Sequence, residues 1–497
     1  MVLCQNIWFN IIALLALLVI GFVTYCKWVY KFWKCLGVPY LKPTIPFGNA
    51  KEVFFLKLSH SELAAKHYKK AKAMGYKHVG LFGFTRPEYM PIDLEIIKNI
   101  LVKNFNYFCD RGFYVNEEDD PLSGNLFMLS GSKWKNIRAK LSPTFTSGKM
   151  KMMFSIVIEC SQKLNEVMNV QHKQGPINIK NFLERFGTDV IGSCAFGLSC
   201  NSFDEPNSDF CKFSKRSFNP TKLESLKDLG LVYFPAINKF FNVKVFPKDV
   251  SDFFLSTVRN VVEYRKTNNL VRNDFLQILI DLMQSSHGLS IEEVAAQAFV
   301  FFVAGFETSS TVMMFCLLEL SLNREIQKKL REEINSVIGR FGLTYESLNH
   351  MVYMRQVLDE VMRKYPPIAV LNRICTKDYK IPKTKLVLKK GTPVAISVLG
   401  IQNDPEYFPE PEKFDPERFA AENKEKLNQF CYMPFGEGPH MCIGLRFGFL
   451  QMKVALSILL KNYRFSLNEK TKLPLKMNAK SFILSPERSI WLNVEKI

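Results

Sequence analysis

The chain has 497 residues, of which 47% are hydrophobic and 13% aromatic, so it can bury a sizeable core and could divide into two or three domains. It carries 66 basic and 47 acidic residues, a net charge of +19 that favours an anionic membrane surface or an acidic protein as partner. The basic residues are spread along the chain without a nucleic-acid-binding signature, so nucleic acid is not expected as a partner.

The 12 cysteines form no close CxxC pairs and show no zinc-ligand spacing. In a chain of this length, separated cysteines indicate reduced thiols, as expected of a domain that faces the cytosol. The sequence also contains no Asn-x-Ser/Thr glycosylation site with a permitted middle residue, which agrees with that placement.

The first 26 residues contain no charged side chain. Residues 7–26 are long enough as a helix to cross a hydrocarbon core of about 30 Å. Lys27, Lys31 and Lys34 follow directly, and the positive-inside rule then keeps the rest of the chain in the cytosol. The alternative, a cleaved signal peptide, would need a basic first region and a small-residue cleavage site, and neither is evident. Residues 1–26 are therefore predicted to be a retained transmembrane anchor.

Residues 27–50 combine this basic flank with a proline-rich stretch. Three prolines within residues 37–49 prevent a continuous helix and predict an extended, semi-rigid hinge; a floppy linker is the alternative. The remaining residues, 51–497, are predicted to form one cytosolic catalytic body.

Three early segments of this body have recognisable patterns. Residues 78–92 are predicted to form two short strands, followed by a helix with Asp93 as its N-cap. Residues 105–130 are irregular and rich in aromatic side chains, which favours a binding loop, with plugging of the core as the alternative. The phenylalanine-rich segment 203–246 could be core, a pocket roof or a patch that dips into a membrane.

Residues 132–141 are predicted to be helical, which places Trp134 and Arg138 on one face because they are four residues apart. A surface helix with an exposed arginine is the alternative. Lys133 and Lys140, seven residues apart, share a different face that could meet an acidic protein.

A long, largely apolar helix is predicted over residues 290–323, opened by a capping box of Ser290 and Glu293. Polar residues that include Glu307 and Thr308 interrupt its apolar middle. Burying a carboxylate is costly unless it is bonded or has a function. Gly305 and a threonine that can bond back to the helix carbonyls permit a local widening that opens room for a small ligand. A kinked core helix with a satisfied glutamate is the alternative.

Glu360 and Arg363 are three residues apart, on one face of a predicted helix, a spacing at which weak surface salt bridges are common. Arg373 follows this helix. A proline-rich meander then leads to Arg418.

Residues 434–448 form a glycine-rich loop around Cys442 that passes into a helix. Gly436, Gly438 and Gly444 permit backbone conformations and close approaches that a Cβ would forbid. A thiolate that binds a metal must lie among backbone N–H groups at the positive end of a helix, and Cys442 occupies such a position. A buried structural cysteine in an ordinary turn is the alternative.

The order Phe435, Gly438, His440, Cys442, Gly444 resembles the haem-binding loop of the cytochrome P-450 superfamily, whose cysteine thiolate is the proximal ligand of haem iron. In this loop Phe435 can supply an apolar wall and His440 a hydrogen-bond donor. The family usually has arginine or histidine where this chain has His440.

The resemblance extends over nearly the whole chain. Five separated motifs occur in the family's order: Trp134 with Arg138, residues 304–309, Glu360 with Arg363, residues 416–419, and the cysteine loop. The chain resembles a microsomal cytochrome P-450, most like the insect family-six group. This resemblance implies a mainly α fold with small β-sheets (α+β) and an N-terminal transmembrane helix.

The resemblance also implies haem b (iron protoporphyrin IX) as cofactor and assigns its neighbours. The residues placed at the haem are Cys442, which ligates the iron, and around it Trp134, Arg138, Ala304, Arg373, Phe435, His440 and Gly444. Glu307 and Thr308 are implied to deliver protons during oxygen activation. Glu360, Arg363 and Arg418 are implied to brace the cysteine loop.

The implied activity is that of a haem-thiolate monooxygenase that inserts one oxygen atom from O2 into a small lipophilic substrate, such as a plant toxin, an insecticide or an endogenous compound. Electrons from NADPH would come through NADPH-cytochrome P-450 reductase, with cytochrome b5 as a second donor. We predict that Lys133, Lys140 and Arg446 form the docking face. The implied location is the endoplasmic reticulum membrane, recovered in microsomes.

Two alternatives stay open at this point. One is an isomerase or dehydratase of the same fold that needs no reductase, against which the intact Glu307–Thr308 pair argues. The other is a non-catalytic haem-thiolate sensor. A protein without haem, in which Cys442 is merely structural, is remote.

Overall fold

The computed structural model describes residues 2–218, 220–284 and 288–497. Most of these residues are helical. The α-helices, in chain order, are α1 (Val2–Val29), α2 (Phe32–Cys35), α3 (Lys51–Phe54), α4 (His60–Ala73), α5 (Leu94–Lys98), α6 (Gly131–Leu141), α7 (Ser147–Gln171), α8 (Ile179–Ala195), α9 (Asp209–Phe218), α10 (Lys222–Tyr233), α11 (Pro235–Phe240), α12 (Lys248–Thr267), α13 (Phe275–Met283), α14 (Ile291–Leu322), α15 (Arg324–Phe341), α16 (Val352–Lys364), α17 (Val398–Gln402), α18 (Ala421–Lys424) and α19 (Leu445–Asn462).

The strands are few and short. They are β1 (His78–Gly83), β2 (Arg86–Pro91), β3 (Ile177–Asn178), β4 (Val370–Ile374), β5 (Tyr379–Lys380), β6 (Val387–Leu388), β7 (Pro393–Ser397), β8 (Tyr463–Leu467) and β9 (Trp491–Lys496). They form a four-stranded sheet in the order β1-β2-β7-β4, a three-stranded sheet β3-β9-β8 and the pair β5-β6. The predicted class, mainly α with small β-sheets, is confirmed.

The four-stranded sheet starts from the predicted hairpin. In that hairpin β1 and β2 are antiparallel, with Val79 opposite Met90. Strand β7 then pairs parallel to β2 through Val394 and Tyr89, and antiparallel to β4. Asp93 caps the next helix as predicted, because its carboxylate accepts hydrogen bonds from the N–H groups of the first turn.

Helix α14 is the centre of the larger of two hydrophobic cores. Its capping box is present as predicted: the Ser290 hydroxyl accepts from the N–H of Glu293, whose carboxylate accepts from the N–H of Ser290. Helices α7, α8, α12, α16 and α19 pack around α14 in this core. The second core lies under the four-stranded sheet and includes α4. Every cysteine whose side chain is described is free, as the spacing predicted.

The N-terminal helix is set apart from both cores. The apolar span Ile7–Cys35 is long enough to cross a membrane and its most apolar stretch is not buried at all, whereas the other span of suitable length and composition, Ile291–Leu322, is mostly buried in the core. Past the exposed part, the indole of Trp33 donates to the carbonyl oxygen of Leu81 at 2.8 Å and lies flat on Gly80. The chain after α1 is therefore anchored on the sheet.

The proline-rich stretch runs along the edge of the same sheet. The N–H of Leu41 donates to the carbonyl of Gly80 at 3.1 Å, and the N–H of Gly80 donates to the carbonyl of Pro39 at 2.8 Å. Gly48, with φ of +61°, brings its backbone within contact of Phe82. These contacts fix the direction in which the chain leaves the sheet towards α1.

Candidate active site

The cysteine loop leads from the carboxyl side of Met433 into α19. Gly436 and Gly438 have φ of +70° and +72°, a region that favours glycine, and a Cβ on Gly438 would lie 2.0 Å from the carbonyl oxygen of Leu101. The N–H of Cys442 closes the loop by donating to the carbonyl of Phe435 at 2.9 Å. The prediction of special glycine geometry is thus confirmed at these two positions.

Gly444 differs from the other two glycines. Its φ is −88°, and a Cβ there would meet only the ring of Phe145 at 3.8 Å, an ordinary contact. The prediction that Gly444 needs an unusual backbone is therefore wrong. Gly444 instead caps α19, and its N–H hydrogen-bonds the thiol of Cys442.

The Cys442 thiol lies deep in the protein but is accessible to a solvent probe. Burial raises its pKa, while the N–H of Gly444 and the guanidinium groups of Arg138 and Arg111 oppose that rise. These three donors all favour the thiolate. A thiolate that is reachable and surrounded by positive charge is suited to bind a metal.

Three arginines converge on this region. Arg138 of α6 donates to the carbonyl of Met441 at 3.0 Å, and Arg111 donates to the carbonyl of Phe127 at 3.1 Å. Arg373 of β4 is buried, and its Nε has no hydrogen-bond partner in the described residues. None of the three pairs with a carboxylate in the part of the chain that the structure describes.

Burial, together with mutual repulsion at Arg111, disfavours the charged forms of these arginines. Burial, and then the charges of Arg373 and Arg138, lower the pKa of Arg111 to about 9. Burial lowers the pKa of Arg373 to about 10. Three guanidinium groups held together without an acid need an anion, and two carboxylates of a porphyrin would supply it.

Arg111 was missed by the sequence prediction. It lies in the aromatic segment 105–130, where no helix or strand periodicity fixes the direction of a side chain. Its only sequence signal is an arginine between Asp110 and Gly112 in an otherwise aromatic stretch.

His440 is buried against the ring of Trp134, with 4.0 Å between ring centroids. Its Nε2 donates to the carbonyl of Cys109 at 2.7 Å, which leaves Nδ1 without a partner in the described residues. Burial, Arg111 and Arg373 lower the pKa of His440 to about 2. The predicted residues Trp134 and His440 therefore both lie beside the three arginines, and His440 is neutral.

The predicted brace of the loop is present and completely buried. Arg363 forms a two-pronged ion pair with Glu360, at 2.7 and 2.9 Å, and neither side chain has any exposed surface. Arg418 approaches Glu360 at 3.5 Å, and the N–H of Asp415 donates to the same carboxylate at 3.0 Å. The alternative of a weak surface salt bridge is wrong for this pair.

Gln402 connects this brace to the loop, which the sequence analysis missed. Its amide nitrogen donates to the carbonyls of Met362 and Arg363 at 2.9 and 3.0 Å, and its amide oxygen accepts from the N–H of Met433 at 2.9 Å. Met433 precedes the cysteine loop directly. A buried glutamine at the end of α17 thus sets the start of that loop.

Apart from its two ends, helix α14 is mostly buried, but near its middle Ala304 is exposed and Thr308 is partly exposed. The Thr308 hydroxyl donates to the carbonyl of Ala304 at 2.6 Å. Gln451 of α19 donates to the carbonyl of Gly305 at 3.1 Å, so it joins α14 to the helix that follows Cys442. The structure records α14 as uninterrupted, without a break at this point.

Glu307 points away from this accessible stretch, towards α8. It is buried, and its carboxylate lies 3.8 Å from Nζ of Lys180. Burial and the neighbouring Glu184 raise the pKa of Glu307 to about 7, and Lys180 opposes the rise. Neither α8 residue was predicted, because their sequence pattern is an ordinary i,i+4 pair.

The fold and the site together fit a flat, metal-bearing, dianionic cofactor. The accessible thiol of Cys442 supplies a soft metal ligand, the three arginines supply the counter-charge for two carboxylates, and Ala304 supplies an uncovered face on the central helix. Among the described residues, no group of three or more His, Cys, Asp or Glu side chains could hold a metal ion by itself. This arrangement is that of a haem-thiolate protein.

The family model for Cytochrome P450 matches residues 43–493. Similar proteins include Probable cytochrome P450 6a14 of Drosophila melanogaster, 41% identical over 490 residues that cover 94% of this chain and 96% of the relative. Probable cytochrome P450 6a13 of the same fly is 42% identical over 483 residues, covering 96% and 97%. Cytochrome P450 6A1 of Musca domestica is 40% identical over 499 residues, covering 98% and 97%.

The chain belongs to the cytochrome P450 family. Its relatives confirm the predicted likeness to the insect family-six group. Membership establishes a haem-thiolate monooxygenase whose cofactor is haem b.

Proposed function

We propose that this protein oxidises small lipophilic substrates with electrons from NADPH, and that Cys442 is the ligand of the haem iron. One observation carries this assignment: the reachable Cys442 thiol lies near the guanidinium groups of Arg138 and Arg111. Neither these two arginines nor Arg373, which lies near Arg111, has a carboxylate partner in the described residues. Arg138, Arg373 and the missed Arg111 bind the haem propionates, with Trp134 and His440 packed behind them. Phe435 and Ala304 would contact the bound haem from the cysteine loop and from α14.

When bound, haem supplies the activation of O2 and the transfer of one oxygen atom to the substrate. The protein's own residues hold the cofactor, exclude water and provide protons. In this proposal Glu307 holds the proton and the Thr308 hydroxyl passes it on towards the site. Glu360, Arg363 and Arg418 keep the cysteine loop in position.

The reduced, CO-bound spectrum of the holoprotein tests the ligand assignment. We expect a thiolate-type Soret band that Cys442→Ala abolishes. Cys431→Ala is a matched control, because Cys431 is a buried free cysteine shortly before the loop. A thiolate-type spectrum that persists in Cys442→Ala would contradict the assignment. Consumption of O2 with NADPH and reductase separates a monooxygenase from an isomerase or dehydratase of the same fold.

The substrate side is formed by aromatic residues from distant parts of the chain. Phe113 and Phe127 of the irregular segment approach each other at 5.2 Å between ring centroids, and both approach Phe482, at 6.4 and 6.2 Å. Leu371 of β4 faces the loop glycine Gly436. This apolar lining supports the proposal of a lipophilic substrate, oxidised close to the haem.

In this proposal the segment 105–130 is divided between the two predicted roles, core plugging and binding. Phe108 is completely buried in the core under the four-stranded sheet and plugs it. Phe113 and Phe127 are only partly buried and line the proposed substrate side.

We place the reductase docking face at Lys133, Lys140 and Arg446, with cytochrome b5 as a second partner. Arg446 is exposed on the first turn of α19, directly after Cys442 and Gly444. Lys133 is exposed at the start of α6 and pairs with Glu117 at 2.8 Å, a pair that a stronger acidic surface could displace. Complementary charge chiefly speeds encounter, so the effect should depend on salt.

Charge reversal tests this face. Lys133→Glu with Lys140→Glu should slow reduction of the holoprotein by reductase and flatten its dependence on ionic strength. Lys470→Glu with Lys472→Glu, shortly after β8 in the chain, is the matched control for charge. Equal reduction rates for the two double variants would contradict the docking face.

We propose that residues 1–26 anchor the protein in the endoplasmic reticulum membrane, that residues 27–50 form the hinge, and that residues 51–497 form the cytosolic monooxygenase domain. A second apolar surface supports contact with the bilayer: Leu223 of α10 and Phe240 of α11 are 79% and 81% exposed, and Phe241 follows at 69%. The phenylalanine-rich segment 203–246 is therefore divided. Its first part, with Phe210, is core.

Flotation with lipid vesicles tests this arrangement. A chain that lacks residues 1–26 should still bind vesicles weakly, and Leu223→Ser, Phe240→Ser and Phe241→Ser together should abolish that residual binding. If the truncated chain binds vesicles equally well with and without the three substitutions, the surface of Leu223, Phe240 and Phe241 has no role at the membrane.

A further inference from the structure

Two carboxylates and one ammonium group meet where α8 packs against α14. Nζ of Lys180 lies 3.6 Å from Glu184 and 3.8 Å from Glu307. Exposure falls along this series: the side chains of Lys180, Glu184 and Glu307 are 24%, 15% and 6% exposed. The series therefore leads from the protein surface to the buried carboxylate of α14.

The packing of the two helices fixes this arrangement. A Cβ on Gly187 would lie 2.5 Å from the hydroxyl of Ser310, so α8 and α14 approach closely at this point. The same hydroxyl donates to the carbonyl of Leu183 at 3.1 Å. Glu184 follows Leu183 directly and lies less than one turn from Gly187, so its backbone is held beside α14 at this close approach.

The charges of the cluster do not balance when both carboxyls are ionised. Burial raises the pKa of Glu184, while Lys180 and Lys215 of α9 oppose that rise. Burial and Glu184 raise the pKa of Glu307 to about 7, with Lys180 opposing. Burial and the proximity of the two carboxyls therefore both favour a proton on this pair, and the neighbouring Lys180 opposes it.

We propose that Glu184 and Lys180 form a proton-entry group that reloads Glu307 from solvent. This rests on the proposed role of Glu307 and Thr308. For each proton that Glu307 gives up towards Thr308, Glu184 passes one proton to Glu307 and takes one from water. No electrons move in this exchange, and the charge of the cluster is restored. Glu184 and Lys180 are positioning residues, because they act only through Glu307.

The ionisation of Glu307 can be followed directly in the full-length holoprotein by pH-difference infrared spectroscopy. Its protonated carboxyl band is identified as the one lost in Glu307→Gln. Glu184→Gln removes a negative neighbour and should lower the midpoint of this band by roughly one pH unit. Lys180→Met removes a positive neighbour and should raise the midpoint by a similar amount. The midpoint of the double variant Lys180→Met/Glu184→Gln should lie between those of the two single variants.

Turnover provides the second readout. The fraction of electrons that ends in product rather than in hydrogen peroxide should depend on pH, and this profile should move down in Glu184→Gln and up in Lys180→Met. Glu469→Gln, an exposed carboxylate after β8, is the matched control and should leave both the infrared midpoint and the coupling profile unchanged. Thermal unfolding of each holoprotein confirms that the variants fold.

The outcomes separate this proposal from the function on which it rests. If Glu307→Gln uncouples turnover but neither α8 variant moves the infrared midpoint or the coupling profile, the proton-entry group is wrong and the role of Glu307 stands. If Glu307→Gln leaves coupling unchanged, the role of Glu307 fails, and the proton-entry group fails with it. Shifts of the same sign in both α8 variants would also overturn the proposal.

Discussion

The start of the cysteine loop and the middle of α14 both hold polar groups in the protein interior, but the two regions hold them differently. Arg363 makes two short bonds to Glu360 and others to backbone carbonyls, and Gln402 makes three. Glu307 has one ion pair at 3.8 Å, and Thr308 bonds only to its own helix.

The difference teaches how a buried polar group can be recognised as structural or reactive. A buried group whose bonding capacity is used fully fixes a conformation, and its protonation state cannot change without a large cost. A buried carboxylate with sparse bonding keeps a pKa near neutrality and can exchange a proton. The region around Gln402 is of the first kind, and that around Glu307 is of the second.

The largest effect is expected when the buried ion pair near the start of the cysteine loop is removed. Arg363→Ala leaves the Glu360 carboxylate buried without its partner, which should destabilise the holoprotein by about 4 kcal/mol and lower haem retention. Thermal unfolding and haem content after purification measure both. Lys389→Ala removes an exposed ion pair with Asp378 and should change stability by less than about 1 kcal/mol. Equal losses in the two variants would contradict the contrast between buried and exposed pairs.

Two glycines of the cysteine loop test how tightly its backbone is held. Gly438→Ala must adopt a φ of +72° and place its Cβ against the carbonyl of Leu101, whereas Gly436→Ala meets the strained φ but has room for its Cβ. We expect Gly438→Ala to cost about 3 kcal/mol and Gly436→Ala about 1 kcal/mol. Chemical denaturation of the holoproteins measures the difference. A larger loss in Gly436→Ala would show that the backbone contact with Leu101 does not limit the loop.

The start of the cysteine loop and the middle of α14 also differ in how much of each could be predicted from the sequence. The loop around Cys442 could be predicted because its glycines and its resemblance to the family's haem-binding loop show locally in the chain. The buried pair of Glu360 and Arg363 was implied by that resemblance alone, since i,i+3 spacing by itself indicated a weak surface salt bridge. Gln402 could not, because nothing near it in sequence indicates that its amide reaches Met433. The hairpin, the helix caps and the long helix were predicted from periodicity and capping residues, whereas the fold class was implied by the family resemblance.

The middle of α14, around Glu307, shows more clearly what the sequence alone could not predict. Glu307 was predicted, but its partners Lys180 and Glu184 lie more than 120 residues earlier, and only the packing of α8 on α14 brings them together. Arg111 was missed for a related reason, since an irregular segment gives no rule for the direction of its side chain. Long-range contacts between elements are the information that local patterns lack.

The pH dependence of stability tests the second region. The pKa of Glu307 is raised to about 7, above its ordinary value of 4.5, so the folded state binds its proton more tightly than the unfolded chain does. Its contribution to stability is therefore complete below about pH 4.5 and is lost as pH rises through about 7. The difference in stability between wild type and Glu307→Gln should fall over this range by on the order of 2 kcal/mol. A difference that is constant with pH, measured by denaturation at several pH values, would show that Glu307 is ionised throughout.

The smallest effect separates two threonines of α14. The Thr308 hydroxyl bonds to the carbonyl of Ala304, whereas the buried hydroxyl of Thr311 has no hydrogen-bond partner in the described residues. Thr308→Val should cost about 0.5 kcal/mol and raise peroxide release in turnover, because the hydroxyl that passes the proton is gone. Thr311→Val removes an unpaired polar group from the core and should be neutral or slightly stabilising, with unchanged coupling. Both replacements keep the β-branched shape, so packing changes little. Thermal unfolding and peroxide yield distinguish the two: uncoupling in Thr311→Val would mean that the proton route runs through the buried face of α14 rather than through its accessible one.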